Sequence, residues 1–232
     1  MEAKIEKTKV YNVIILDRSG SMWSIKKQAI GGYNEVLGGV KEAAKKYSDT
    51  QEHYFTLVLF DGEYIDNVYW NEEVSKASRL TDKTYIPGAS TPLYDAIGRT
   101  ITKLESELKD DSNTSVVVTI ITDGYENSSK EYSHSAVKRL INHAKVNGWS
   151  FAYMGTDHDV DKVTVSLSIS NTVKFAKTEE DTDLVFKRER RARERYFEGL
   201  NDCVGLQSYS KEERREYNRN LANNYYKEDN EK

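Results

Sequence analysis

Hydrophobic runs of two kinds alternate along the chain. Four are short and rich in β-branched residues, as is typical of strands that are buried on both faces of a sheet. Three longer segments between them have the apolar spacing of helices. Strands that alternate with helices predict a mostly parallel sheet covered on both sides. The strand runs are residues 10–16, 54–60, 116–122 and 151–154, and the helical segments are residues 25–47, 93–108 and 135–146.

Two further strands complete the predicted sheet. Residues 65–70 follow the second run after the short loop Asp61-Gly62-Glu63, a spacing that suits a hairpin and hence an antiparallel edge strand. A weaker last strand is predicted at residues 172–176. The expected fold is therefore an α/β, Rossmann-like, doubly wound three-layer sandwich, mostly parallel with one antiparallel edge strand.

The chain changes character near residue 178. Residues 179–200 form a charged helical stretch, and the sequence is almost wholly polar from Ser208 onward. We predict a domain at residues 1–178, followed by a charged helical extension and a tail at 179–232 that is frayed or folds on binding. Five apolar residues of the extension are expected to form a stripe that docks on the domain or on another subunit, which would give an oligomer or larger assembly through residues 180–232. They are Val185, Phe186, Tyr196, Phe197 and Leu200.

Composition and charge favour an intracellular binding protein. The net charge of −4 over 232 residues gives no global reason to expect nucleic-acid binding. Cys203 is the only cysteine, so an intramolecular disulfide is excluded and a reducing compartment fits. No segment has the length and apolarity of a signal peptide or a membrane helix. We therefore expect a cytoplasmic location and no membrane partner.

One local stretch, residues 187–195, raises the alternative of nucleic-acid binding. Its clustered arginines could displace counterions from phosphates. The interspersed Glu189 and Glu194 favour a solvated, salt-bridged helix instead. A nucleic-acid partner is therefore the less favoured prediction. The arginines concerned are Arg190, Arg191, Arg193 and Arg195.

Oxygen-bearing side chains cluster at the predicted strand ends. Asp17, Ser19 and Ser21 directly follow the first strand run, Asp123 follows the third, and Thr91 precedes a helix. The carboxyl ends of parallel strands lie at one edge of the sheet, where ligands bind in this fold class. Two carboxylates and three hydroxyls suit Mg²⁺, with Mn²⁺ or Ca²⁺ as alternatives, and the absence of His and Cys argues against zinc or copper. An acidic group of a partner could fill a remaining coordination position.

These residues resemble a known family. Asp17-x-Ser19-x-Ser21, Thr91 and Asp123-Gly124 are similar to the metal-ion-dependent adhesion site of von Willebrand factor type A domains. The strings at residues 88–101 and 121–133 resemble its soluble bacterial and phage branch, and the resemblance covers roughly residues 10–176. It implies that Ser19 and Ser21 coordinate the metal directly and that Asp17, Thr91 and Asp123 do so directly or through water. It also implies reversible, cation-dependent binding of a protein partner that presents Asp or Glu.

Simpler roles compete for several of these residues. Asp17 and Asp123 could merely cap helices, Asp61 could serve a turn, and Asp95 could be a first-turn carboxylate favoured by the helix dipole. The residues around the pentad are a candidate partner rim, although Met22 and Trp23 could equally be buried. The rim residues are Trp23, Tyr125, Glu126 and Asn127.

Catalysis lacks the residues it needs. Neither Ser19 nor Ser21 has an identifiable base, and residues 88–92 lack the lysine of a phosphate-binding loop. The sequence therefore predicts an adaptor that binds proteins, and no enzyme. The alternatives are a structural or assembly component that binds through its C-terminal extension, and a component of a nucleic-acid-associated complex.

Overall fold

The computed structural model of the chain describes residues 6–108, 113–156, 160–175, 178–204 and 210–227. Six strands alternate with helices over most of this length. In chain order the elements are β1 (Thr8–Asp17), α1 (Lys26–Lys46), β2 (Gln51–Phe60), β3 (Ile65–Glu73), α2 (Leu93–Leu108), β4 (Thr114–Thr122), α3 (His134–Val146), β5 (Ser150–Thr156), α4 (Val160–Ser166), β6 (Asn171–Phe175), α5 (Glu179–Val204) and α6 (Lys211–Asn223). Short 3-10 helices lie at Gly20–Ile25 and Val74–Lys76.

The strands form one sheet in the order β3-β2-β1-β4-β5-β6. β1 pairs in parallel with both β2 and β4, and only β3 is antiparallel, at the edge beside β2. The predicted fold class is thereby confirmed, including the antiparallel edge strand. The chain winds outward in opposite directions from β1 and β4, so a crevice opens between the carboxyl ends of these two strands. Asp17 ends β1 and Asp123 directly follows β4.

Helices cover both faces of the sheet, and each face has its own apolar core. One core lies under α1 and α5, and the other lies under α2 and α3. β1 contributes to both cores because its side chains alternate between the faces, Ile14 toward the first and Ile15 toward the second. The continuous apolar runs of the sequence are therefore explained by burial on both sides.

The charged extension packs on the domain. All five residues of its predicted apolar stripe are buried in the core beneath α1 and α5, so the stripe docks on this domain and is covered there. Gly32 of α1 makes this close contact feasible, since a methyl group there would overlap the Phe186 ring. The division at residues 178/179 stays a prediction, and α5 shares one core with the sheet.

Two expectations about the extension are wrong. Glu189 and Arg193 were predicted on a solvated helix, yet both are almost fully buried against the sheet. The tail was predicted to fray, but α6 begins with a capping box between Ser210 and Glu213 and packs on the domain. Beyond α6, Tyr225 and Tyr226 are buried in the core. The segment 205–209 lies outside the described residues.

A buried histidine predicts how stability changes with pH. The His53 ring is 6% exposed, with Nε2 2.9 Å from Gln51 Oε1. Burial and the nearby charge of Arg193 lower the pKa of His53 from 6.5 to about 4. Below pH 6.5 the unfolded chain therefore binds a proton at His53 that the folded protein accepts only near pH 4, so the contribution of His53 to stability falls as the pH drops through this window.

We expect this histidine to remove roughly 2 kcal/mol of the free energy of unfolding between pH 7 and about pH 5. Urea unfolding at both pH values should show a smaller loss for His53→Gln than for the wild type. His143→Gln is the matched control, since that ring is on the surface of α3 with its side chain 67% exposed. An unchanged pH dependence in His53→Gln would contradict the assignment.

Candidate metal centre

Asp17 lies at the floor of the crevice. Its carboxylate accepts hydrogen bonds from the Ser19 backbone N–H at 2.7 Å and from Thr122 Oγ1 at 2.6 Å. The residue is fully buried, and this desolvation raises the pKa of Asp17 to about 6, although both hydrogen bonds oppose the shift and the charge of Asp123 adds to it. A buried carboxylate with this pKa is largely ionised above neutral pH and can accept a cation.

Two serine hydroxyls extend from this floor to the surface. Ser19 is buried, whereas Ser21 is exposed on the 3-10 helix that follows it. The two Oγ atoms are 3.2 Å apart, and Ser21 Oγ donates to Asp123 Oδ1 at 2.6 Å. The loop after β1 and the loop after β4 are therefore joined directly through their oxygen-bearing side chains.

Thr91 reaches the same point from the loop before α2. Its backbone is fixed by Asn127, whose Oδ1 accepts from Thr91 N at 2.8 Å and whose N donates to Thr91 O at 3.1 Å. A methyl group at Gly124 would lie 3.0 Å from Thr91 Oγ1, 3.1 Å from Ser21 Oγ and 3.5 Å from Asp17 Oδ2. Three oxygens from two loops thus converge beside Gly124, a position on the third loop that carries no side chain. The structure brings all five sequence-predicted residues together.

Backbone contacts hold the loops in register. Gly20 N donates to Ala89 O at 3.0 Å, and Gly88 N donates to Arg18 O at 2.8 Å. Ala89 has a φ of 56°, a left-handed conformation that is strained for a residue with a side chain and that persists only when its surroundings impose it. The loop of Thr91 is therefore clamped onto the loop of the two serines.

Sequence reasoning missed several residues that shape this site. Thr122 donates to Asp17, and the buried Tyr85 hydroxyl donates to the Asp17 backbone carbonyl. Thr122 is the residue directly before Asp123, so its place at a strand end was a usable signal. Tyr85 lies 68 residues from Asp17 in a loop without regular structure, and no local pattern marks it.

The two other carboxylates considered from the sequence have structural roles. Asp95 accepts hydrogen bonds from the backbone N–H groups of Lys130, Glu131 and Tyr132, and it thereby fixes the loop before α3. Asp61 accepts from two backbone N–H groups of its own turn and pairs with Arg18 at 2.7 Å. Each carboxylate is thus satisfied by hydrogen bonds outside the pentad.

The predicted rim divides into two parts. Trp23 and Tyr125 are more than half exposed, at 55% and 53%, while the neighbouring Met22 is buried. Glu126 instead accepts from the backbone of Tyr94, at the start of α2, and Asn127 holds Thr91 as described. Trp23, Tyr125 and Asn127 are therefore exposed, Glu126 is partly buried, and the side chains of Glu126 and Asn127 also hold backbone groups of the neighbouring loops.

The donors of this site are mostly hydroxyls. Within the described part of the chain, no three His, Cys, Asp or Glu side chains are grouped so that they could hold a metal ion. The pentad has only two carboxylates, so the rest of its donor set is three hydroxyl groups. Oxygen-only donors match hard cations such as Mg²⁺, Mn²⁺ and Ca²⁺.

The mostly parallel α/β sheet, with this cluster at its switch point, places the chain in the doubly wound class, whose ligands generally bind at that position. The chain matches the family model of the von Willebrand factor type A domain over residues 13–191, and it belongs to that family. Domains of this family are generally modules for protein interaction and adhesion. No curated protein shows significant sequence similarity to the chain.

Solved structures share the fold at low sequence identity. The pilus adhesin SpaC of Lactobacillus rhamnosus GG is 13% identical with a TM-score of 0.58, covering 84% of this chain and 31% of that one. The manganese-loaded TRAP protein of Plasmodium vivax is 16% identical with a TM-score of 0.51, covering 79% and 73%. Proximal thread matrix protein 1 from the mussel byssus is 11% identical with a TM-score of 0.50, covering 80% and 46%. The chain thus spans under half of the mussel protein and about a third of the adhesin.

Proposed function

We propose that this protein is a cation-dependent protein-binding module in which the pentad holds Mg²⁺ or a similar ion that captures an acidic residue of a partner. The convergence of Thr91 Oγ1, Ser21 Oγ and Asp17 Oδ2 beside Gly124 carries the proposal. The five residues come from three separate loops, and a capping role for each alone does not account for their meeting at one point.

The spacing of the oxygens supports this reading. Ligands at 2.0–2.1 Å from an octahedral Mg²⁺ lie about 3 Å apart when they are adjacent. Ser19 Oγ and Ser21 Oγ are 3.2 Å apart, and Ser21 Oγ and Asp123 Oδ1 are 2.6 Å apart. These side chains would hold the ion with little rearrangement. Mn²⁺ and Ca²⁺ are alternatives, and the manganese-loaded TRAP protein, a fold neighbour, supports a divalent ion.

An open coordination position on the ion favours an acidic partner, because carboxylate oxygens are preferred ligands of hard cations. Asp17 and Asp123 together balance a divalent cation, and hydroxyls complete the donor set. A carboxylate from another molecule would then supply a charged ligand at the exposed side, next to Ser21. The bound ion would supply the electrostatic attraction, while the chain's residues fix its place. None of this requires a reaction, and we propose binding without catalysis.

The contacts of the extension make the two alternative binding modes less favoured. The apolar stripe of α5 is buried in the domain and is not presented to another subunit. Arg190 pairs with Glu35, Glu42 and Glu194, and Arg193 is buried, so half of the four arginines are committed to other contacts. We therefore favour the pentad over the extension as the binding site.

The cellular location of the protein and the assembly in which it acts stay predictions. No helix in the described ranges combines the length and apolarity that crossing a membrane requires. The resemblance of residues 88–101 and 121–133 to the bacterial and phage branch supports an adaptor in a cytoplasmic assembly.

Cation binding is tested by thermal unfolding and calorimetry. Mg²⁺ or Mn²⁺ at about 100 times its Kd should stabilise the folded protein by about 2.7 kcal/mol and raise Tm by roughly 5–10 °C relative to EDTA. Ser21→Ala removes one donor and should weaken Mn²⁺ binding about tenfold, as measured by isothermal titration calorimetry. Ser106→Ala is the control, because that hydroxyl bonds only within α2.

Partner binding is tested by capture on the immobilised protein. Proteins retained in Mg²⁺ should be released by EDTA, and Ser21→Ala should retain less of them than Ser106→Ala. Absence of any cation-dependent Tm shift, or retention that is indifferent to both EDTA and Ser21→Ala, would refute the proposal.

A further inference from the structure

Four large apolar side chains stand exposed around the candidate metal centre. They come from four different loops, and each is more than half exposed. Within the described ranges, the remaining exposed large hydrophobic residues lie away from these loops, on β3, α3, α4 and α5. We name the four together the apolar rim: Trp23 at 55%, Tyr64 at 60%, Ile86 at 57% and Tyr125 at 53%.

The loops that carry the apolar rim are bonded to the site. Trp23 and Tyr125 are each two residues from a member of the pentad, Ser21 and Asp123 respectively. Ile86 directly follows Tyr85, which donates to the backbone of Asp17. Trp23, Ile86 and Tyr125 thus lie next to residues that form or support the site.

Tyr64 belongs to the same connected surface. Its carbonyl accepts a hydrogen bond from Asp61 N at 2.9 Å, and Asp61 pairs with Arg18, which lies in the loop after β1. A methyl group at Gly62 would overlap Ser90, the residue before Thr91. The β2–β3 loop thus packs directly against the loop that supplies Thr91.

We infer that the partner presents an acidic residue directly flanked by apolar side chains on a protruding segment, and that the apolar rim binds those flanking side chains. This inference rests on the proposed function. Asp17, Ser19 and Thr91 are at most 3% exposed, so a flat surface could not approach them and an extended side chain must enter. Clustered exposed apolar groups mark interaction surfaces, and aromatic residues are frequent anchors of interfaces.

Distances and charge fit such a segment. Trp23 and Tyr125 are each two residues from a member of the pentad, and two residues of chain span at most about 7 Å. Neighbouring Cα atoms of the partner are about 3.8 Å apart, so a side chain next to the partner's acidic residue can reach Trp23 or Tyr125. Lys26 Nζ lies 4.8 Å from the centre of the Trp23 ring and 3.7 Å from Asp82 Oδ1, so its charge is partly balanced within the chain. The preference for an acidic residue therefore comes from the bound cation, and the preference for apolar neighbours comes from the apolar rim.

Short acetylated and amidated peptides test the inference without knowledge of the natural partner. One peptide has a central aspartate between leucine and phenylalanine, a second has the aspartate between two serines, and a third has asparagine between leucine and phenylalanine. In Mg²⁺ the first should bind about tenfold more tightly than the second, and the third should bind at least tenfold more weakly than the first. EDTA should abolish the difference between the first and third peptides.

Variants separate the rim from the cation site. Trp23→Ala and Tyr125→Ala should each weaken the first peptide severalfold toward the affinity of the second, while calorimetry gives an unchanged Kd for Mn²⁺. Val146→Ala is the matched control, since this side chain is 61% exposed but ends α3 at the opposite edge of the sheet. It should change neither affinity.

The outcomes distinguish this inference from the function on which it rests. If Mn²⁺ binds but the first peptide binds no more tightly than the second, or neither binds, the rim inference is overturned and the cation site stands. If the asparagine peptide equals the first, the acidic part is overturned. If no Mn²⁺ binds to the wild type, the proposed function is wrong, and the inference that rests on it is wrong as well.

Discussion

Replacing Glu189 by alanine should lower the free energy of unfolding by about 3–5 kcal/mol, because it would leave Arg193 as an uncompensated buried charge. Arg193 Nη2 and Glu189 Oε1 are 2.9 Å apart, and neither residue is more than 1% exposed. Arg193 also donates to Asn12 Oδ1 on β1 at 2.9 Å and to Thr119 Oγ1 on β4 at 2.7 Å. The pair therefore anchors α5 to the two central strands.

The C-terminal tyrosines complete this network. The Tyr225 hydroxyl donates to Glu189 Oε1 at 3.0 Å, and the Tyr226 hydroxyl donates to Oε2. Burial raises the pKa of both tyrosines, so they stay protonated and can donate. Every oxygen of the Glu189 carboxylate thus has a donor, which is what a buried charge needs in order to be tolerated.

Chemical denaturation followed by circular dichroism measures the effect. Glu194→Ala is the matched control, a glutamate on the same helix whose pair with Arg190 is partly exposed, and it should cost about 1 kcal/mol or less. If Glu189→Ala fails to fold, Glu189→Gln and Tyr226→Phe provide graded changes of about 1–3 kcal/mol. A loss for Glu189→Ala no larger than for Glu194→Ala would show that the buried pair contributes nothing to stability.

The sheet was predictable because its signals are local. In runs such as residues 116–122, five of the seven residues are β-branched apolar residues that fall on both faces, which is typical of a strand covered on both sides. The meeting of Asp17 and Asp123 follows from topology alone, since both residues end parallel strands on either side of the switch point. What each side chain of the pentad contacts could not be derived in this way.

The helix and the docked apolar stripe of the extension were predicted correctly, but the burial of its charged pair was not, because the pattern of that pair is ambiguous. Glu189 and Arg193 are four residues apart, the same spacing as a solvent-exposed ion pair on a helix. Their burial depends on Asn12 and Thr119, which are 181 and 74 residues from Arg193 in the sequence. The polar composition of the tail likewise concealed Tyr225 and Tyr226, whose role appears only when α6 packs on the domain.

The roles of the four residues of the predicted partner rim were also only partly predictable from the local sequence. The aromatic side chains of Trp23 and Tyr125 are exposed, as a partner rim requires, whereas the side chains of Glu126 and Asn127 accept hydrogen bonds from neighbouring backbone N–H groups. Which of the polar loop residues also supports the loops depends on which backbone groups around Thr91 and Tyr94 need a partner, and the local sequence does not show that.

Gly124→Ala should weaken Mg²⁺ or Mn²⁺ binding about 100-fold, because it would place a methyl group where three donor oxygens converge. That group would lie 3.0 Å from Thr91 Oγ1 and 3.1 Å from Ser21 Oγ, closer than ordinary van der Waals contact, so both hydroxyls must shift by a few tenths of an ångström. Mg²⁺ demands near-ideal octahedral geometry and tolerates such shifts poorly. Isothermal titration calorimetry gives the Kd for each cation.

A second glycine at the same edge of the sheet provides the control for this change. Gly88 lies in the loop of Thr91, and a methyl group there would meet no heavy atom within 4 Å, so Gly88→Ala should bind cations as the wild type does. If the pentad were only a network of loop hydrogen bonds, neither variant would alter cation binding, because the wild type itself would bind none. Equal cation affinity in wild type and Gly124→Ala would show that a bound ion lies elsewhere, whereas loss in Gly124→Ala alone would locate it among Asp17, Ser21 and Thr91.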